Sequence, residues 1–158
     1  MSDFHVEQQE AFTVLGIQKE LTSNYTDFAG LAAEKQAFWQ IINENGQLER
    51  LKMLAISDEL FFVNEAVDNK MMYYVGVRAD KMDSKADRLI QFPVGEYVVV
   101  LSQGDDTYSL SESVINETFG SVLGQVSGYA YVGGPNGVSI TGSGDNLNAK
   151  MFVPVVQQ

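Results

Sequence analysis

The chain has 158 residues, 45% hydrophobic and 20% charged, with a formal net charge of −11, which suits one domain, 1–158, able to bury a core without staples. The absence of cysteine excludes disulfides and thiolate metal sites and fits a reducing cytoplasm, and no secretion leader or membrane-spanning run is legible. The excess of acid disfavours direct nucleic-acid binding; its plainer reading is solubility, though it would also draw organic cations or a basic protein partner.

Residues 1–9 are polar and expected to fray. Glu10 to Leu21 alternates as a first strand, with Phe12, Val14 and Gly16 on one face and Thr13, Leu15 and Ile17 on the other. Turn chemistry at Ser23–Asp27 precedes a helix over about Phe28–Asn45, capped by Thr26 or Asp27 and closed by Gly46. Leu31, Phe38, Ile41 and Ile42 form its apolar stripe. Trp39 lies beside that stripe, either as core at the helix–sheet seam or as the aromatic wall of a cleft.

Leu48 to Ile56 reads as a strand or an irregular link. Glu59–Val67 and Met71–Ala79 form a hairpin around the Asp68-Asn69 turn, and Asp80–Asp87 is a charged connection. Ile90 to Leu101 is the longest β-prone run, kinked at Pro93 and Gly95 and regular from Glu96. Tyr97, Val99 and Leu101 share one face; Glu96, Val98 and Val100 share the other. Ser109-Leu-Ser-Glu112 matches a capping box and opens a second helix that ends at Gly124. Tyr129–Val132 reads as a short strand, Gly133–Asn148 as a long loop or loose hairpin, and Lys150–Val156 as a last strand. The order is β-α-β-β twice, an α+β fold: two pseudo-symmetric units in a mostly antiparallel curved sheet, helices on one side, a cleft at the junction.

One histidine, His5, and no cysteine leave no transition-metal site and no Ser-His-Asp or Cys-His arrangement, and no cofactor is expected. The glycines of 133–144 lack the strand–loop–helix setting and Lys-Ser/Thr ending of a phosphate loop. Tyr73, Tyr74, Tyr97, Tyr129, Tyr131 and Phe152 fall on strands, with Trp39 on the first helix. Such a wall suits flat or cationic organic molecules, at roughly 0.5–2 kcal/mol per cation–π contact. A carboxylate in the wall would add charge selectivity, Glu65 ahead of Glu96, with an exposed strand-end glutamate as the plainer reading of each.

Val14-Leu-Gly16, Trp39, Tyr73-Tyr-Val-Gly-Val77, Phe92-Pro-Val-Gly-Glu-Tyr97 and Met151-Phe-Val-Pro-Val155 together resemble the GyrI-like small-molecule-binding domains, the effector-binding domains of bacterial AraC-type and MerR-type multidrug-sensing regulators. The resemblance implies paired β-α-β-β units around a cleft, with Trp39, Tyr74, Tyr97 and Phe152 near it. Together with Glu65 and Tyr131 these are the expected ligand-binding residues. Family members commonly carry a glutamate two residues before the last aromatic, where this chain has Lys150, and many carry an acid in the strand around Tyr129–Val132, where this chain has none. With no DNA-binding domain in the sequence, a stand-alone member is expected. It would sense or sequester a hydrophobic or aromatic ligand. The alternatives are a hydrolase of cyclopropane-type DNA-alkylating natural products and an inhibitor of DNA gyrase; a protein partner or homodimer stays open.

Overall fold

Residues 2–158 are described by a computed structural model. Its strands are β1 (Asp3–Gln9), β2 (Phe12–Leu21), β3 (Leu60–Val67), β4 (Lys70–Arg78), β5 (Arg88–Phe92), β6 (Gly95–Gly104), β7 (Tyr129–Tyr131), β8 (Asn136–Ser143) and β9 (Asn146–Gln157). Its helices are α1 (Phe28–Glu44), α2 (Gln47–Lys52) and α3 (Thr107–Glu117), the last continuing through a π-helical turn at Thr118–Val122 and a final turn at Leu123–Gln125. None is long and apolar enough to cross a membrane.

Local chemistry explains most of these boundaries. The Asp27 carboxylate accepts from the Gly30 amide at 3.0 Å and starts α1, and Gly46, at φ +81°, ends it. Asp68 and Asn69 hold φ of 51° and 64° between β3 and β4, the left-handed pair that a two-residue hairpin demands.

The strands form one sheet in the order β1-β6-β9-β8-β3-β4-β2-β5, with β7 beside β9. Every pairing is antiparallel. The two units, β2-α1-β3-β4 and β6-α3-β8-β9, join through β3 and β8, from Leu60↔Ile140 to Asn64↔Asn136. The helices share one face, over Phe38, Ile42, Val75, Val114 and Met151. The opposite face carries a second core of Phe12, Phe61, Phe92, Tyr97 and Phe152. β2 lies four strands from β9, about 19 Å away in a flat sheet, yet the Phe12 and Phe152 ring centroids are 5.5 Å apart. The sheet therefore curls into a half-barrel around this second core.

Several sequence expectations are corrected. The N-terminal segment is not frayed: β1 pairs with β6 from Asp3↔Leu101 to Gln9↔Gly95, because its polar alternation suits an edge strand. Leu48–Ile56 is neither strand nor link alone, since α2 buries Leu48 and Leu51. The Ile90–Leu101 run is two strands, separated at Pro93-Val94 and carried to different places in the sheet. Ser109 does not cap the second helix; the Asp106 carboxylate accepts from the Ser109 amide at 2.9 Å, three residues earlier, and Glu112 pairs with Lys35. Of the two readings of Gly133–Asn148, the hairpin holds and the loop does not: β8, whose Val138 and Ile140 are buried, pairs with β9 across the turn at Gly144-Asp145. β7 occupies the same side of β9 as β8, beyond the interruption at Gly133 and Gly134.

Gly16 and Gly76 face each other across β2 and β4. A Cβ on Gly76 would sit 2.4 Å from the Leu15 carbonyl oxygen. Gly76→Ala should therefore destabilise the fold by about 3 kcal/mol, measured by urea unfolding. The Glu34 carboxylate clamps the turn after β2, accepting from the Thr22 and Ser23 amides at 3.0 and 2.9 Å. These bonds, that from the Thr22 amide first, pull its pKa from 4.5 down to about 2. A depressed carboxyl stabilises fully above its unfolded value and loses that contribution as pH falls towards the folded one. Stability should thus soften between pH 4.5 and about 2, and Glu34→Gln should flatten that limb of a pH–stability profile.

Candidate functional site

Alternation along β2, β5, β6 and β9 sends phenyl and phenol rings into the half-barrel. Phe12 stacks on Phe92 at 4.6 Å and lies 5.9 Å from Phe61; Tyr97 meets Phe152 edge-on at 6.3 Å. Tyr74 and Tyr97 are 1% exposed and Phe152 is 3% exposed. The expected hollow between these rings is absent: phenylalanines from both units fill it.

Each end of this stack is closed by charge. At one end Arg88 makes a bidentate pair with Glu65, at 2.9 and 3.0 Å, and the Tyr74 hydroxyl donates to the same carboxylate at 3.0 Å. Burial, then the bond to Glu65, pushes the Tyr74 phenol up to about 12. Burial raises Tyr97 to about 12 as well, and its hydroxyl donates to the Pro93 carbonyl at 2.6 Å. At the other end Arg78, paired with Glu59 at 2.8 Å, lies 4.4 Å from the Phe12 ring centroid and 5.6 Å from that of Phe61. Lys150 pairs with Glu7 at 3.5 Å and stands 5.4 Å from the Phe152 ring centroid.

Above that second end lies a groove of ≈ 880 Å³, walled by Asp3, Asp58, Glu59, Ser139, Thr141 and Lys150. Ser139 is 4% exposed, and its hydroxyl has no hydrogen-bond partner among the described residues. Asp3 and Asp58 have no ion-pair partner among them either. Cross-strand register sets Ser139 between Phe61 on β3 and Lys150 on β9.

The helix side of the seam is different. Trp39 packs on Phe62 at 5.3 Å and stacks on Tyr108 at 6.4 Å, and Lys35 of α1 reaches Glu112 of α3 at 3.4 Å. Where the seam ends, Tyr131 and Glu65 line a separate cavity of ≈ 400 Å³.

The six sequence-predicted residues therefore divide into three places. Tyr97 and Phe152 lie in the ring stack, and Tyr74 and Glu65 close its far end. Tyr131 sits at the seam cavity beside Glu65, and Trp39 lies on the opposite side of the sheet. Sequence reading missed Ser139, Thr141, Asp58 and Asp3. The Val138/Ile140 against Ser139/Thr141 alternation was the available signal for β8, masked by its glycines. Among the described residues no group of three or more histidine or acidic side chains is placed to hold a metal.

Comparison with known proteins places this architecture. SAV2435, solved bound to tetraphenylphosphonium, superposes with a TM-score of 0.77 at 16% identity, covering 98% of this chain and 94% of its own. The integron cassette protein VCH_CASS2 of Vibrio cholerae gives 0.62 at 13% identity, over 95% of each chain. The EcmrR C-terminal domain gives 0.61 at 13%, over 100% of this chain and 99% of its own. No curated protein sequence matches. The Cass2 profile, described as integron-associated effector binding protein, matches residues 5–155. The chain belongs to the Cass2 family of integron-associated effector-binding proteins, in accord with its resemblance to GyrI-like domains.

Proposed function

We propose that the chain binds a small organic molecule in the groove at the open end of the half-barrel, and senses or sequesters it without chemistry. The observation that carries this reading is the groove itself: ≈ 880 Å³, within the size of small-molecule sites, with carboxylates of Asp3 and Asp58 and hydroxyls of Ser139 and Thr141 in its wall. Family membership and the ligand-bound SAV2435 relative support small-molecule binding in general. Glu59 and Glu65 are both tied to arginines, so the reading asks neither for proton transfer. The net charge of −11 also keeps nucleic acid out of it.

The lining narrows the ligand class. Asp3 and Asp58 favour a cationic group, whereas the ring faces nearest the groove are already covered by Arg78 and Lys150. The fitting ligand is a hydrophilic organic amine that uses carboxylates and hydroxyls, not a lipophilic cation that needs open rings.

Isothermal titration with spermidine and with tetraphenylphosphonium tests this. Spermidine should bind, and Asp58→Asn should weaken it several-fold. Tetraphenylphosphonium should bind the native chain poorly, and Lys150→Met, by freeing the Phe152 face, should tighten it by up to about tenfold. Spermidine binding that ignores Asp58→Asn and Thr141→Val would move the site elsewhere.

A further inference from the structure

The seam cavity is lined from both units and shares no residue with the groove. Asn64 and Asn136 are the last residue pair of the β3–β8 seam, and both face it. Asn136 is 6% exposed. Its Nδ2 donates to the Tyr131 hydroxyl oxygen at 3.2 Å, and that hydroxyl donates to the Gly134 carbonyl at 3.1 Å. With the Tyr131 proton committed to Gly134, the Asn136 amide has one orientation, nitrogen towards Tyr131. Its Oδ1 is then buried with no partner. A buried acceptor in that state is costly, and the adjoining space can hold the missing donor.

The remaining lining defines what carries that donor. Leu21, Leu31, Met71 and Met72 make the wall largely apolar, and methionine sulfurs favour aromatic neighbours. The two charged groups on the cavity are spent elsewhere: Lys35 on Glu112 and Glu65 on Arg88. No unpaired charge faces the space, so a charged ligand would be desolvated without compensation.

We propose that this cavity is a second binding site, for a neutral aromatic of one or two fused rings bearing a single N–H or O–H donor, of the indole or phenol class. The donor bonds Asn136 Oδ1 and the ring lies against Leu31 and Met71, which share the helix side of the sheet. The inference stands apart from the groove reading, because none of its residues enters that site.

Titration of the ¹³C-methyl-methionine-labelled chain with indole and with 1-methylindole, which lacks the donor, tests it by NMR. Indole should shift the Met71 methyl most and bind about tenfold more tightly than 1-methylindole. Asn136→Leu should abolish that preference while leaving ring binding. Should that variant fail to fold, Leu31→Trp, which fills the cavity without touching the amide, should abolish the shifts. Equal affinity for the two indoles would leave water as the partner of Asn136 and overturn the proposal. So would methyl shifts confined to other methionines, or none up to the solubility limit of indole.

Discussion

Phe12 and Phe152 meet across four strand spacings, and the half-barrel depends on that contact. β2 and β9 belong to different units, whose strands are joined in the sheet through the β3–β8 pairing. A sheet of this width with one face on helices would leave the other face in water. Instead the strands curl until rings from both units touch, and the second face becomes a core of its own. Burying aromatic side chains on that face contributes about 1.5–3 kcal/mol each for a phenylalanine, enough to set the curvature. The molecule thus has two cores, with the sheet as the partition between them.

The same contact decides where a ligand has room. Rings that lined an empty cleft would offer open faces to a lipophilic cation. Here those faces are turned towards each other or covered by Arg78 and Lys150. Each covering cation is itself neutralised, by Glu59 and Glu7, so the stack ends in paired charge and the groove begins above it. Lys150 thereby marks the boundary between the packed interior and the space outside it. Glu7 reaches that boundary only because β1 is paired, which ties the edge of the sheet to the character of the groove.

Much of this plan was legible in the residues. Period-two alternation assigned the faces of β2 and β6, the Asp68-Asn69 turn fixed the hairpin, and the repeated β-α-β-β order gave the two units. What escaped reading has physical causes. β1 is polar and finds its order only in long-range pairing with β6. β8 is flanked by glycines, and its small side chains leave loop and hairpin undecided in the sequence, because its neighbours supply the packing. Asp106 was as good a cap as Ser109, and sequence alone does not rank them. Tyr74, Tyr97 and Phe152 were rightly placed on strands, but whether rings enclose space or fill it depends on Phe12, Phe61 and Phe92 arriving from elsewhere in the sheet. Glu65 and Tyr131 come together because the seam ends beside the β3–β4 turn, a juxtaposition no local pattern encodes.

The most direct test is a crystal structure of the chain grown with spermidine. The account predicts the amine in the groove against Ser139, Thr141 and Asp58, with the Phe12 and Phe152 ring centroids still near 5.5 Å and Lys150 still over Phe152. An organic ligand lodged between those rings, with the stack parted and Arg78 or Lys150 swung away, would contradict it.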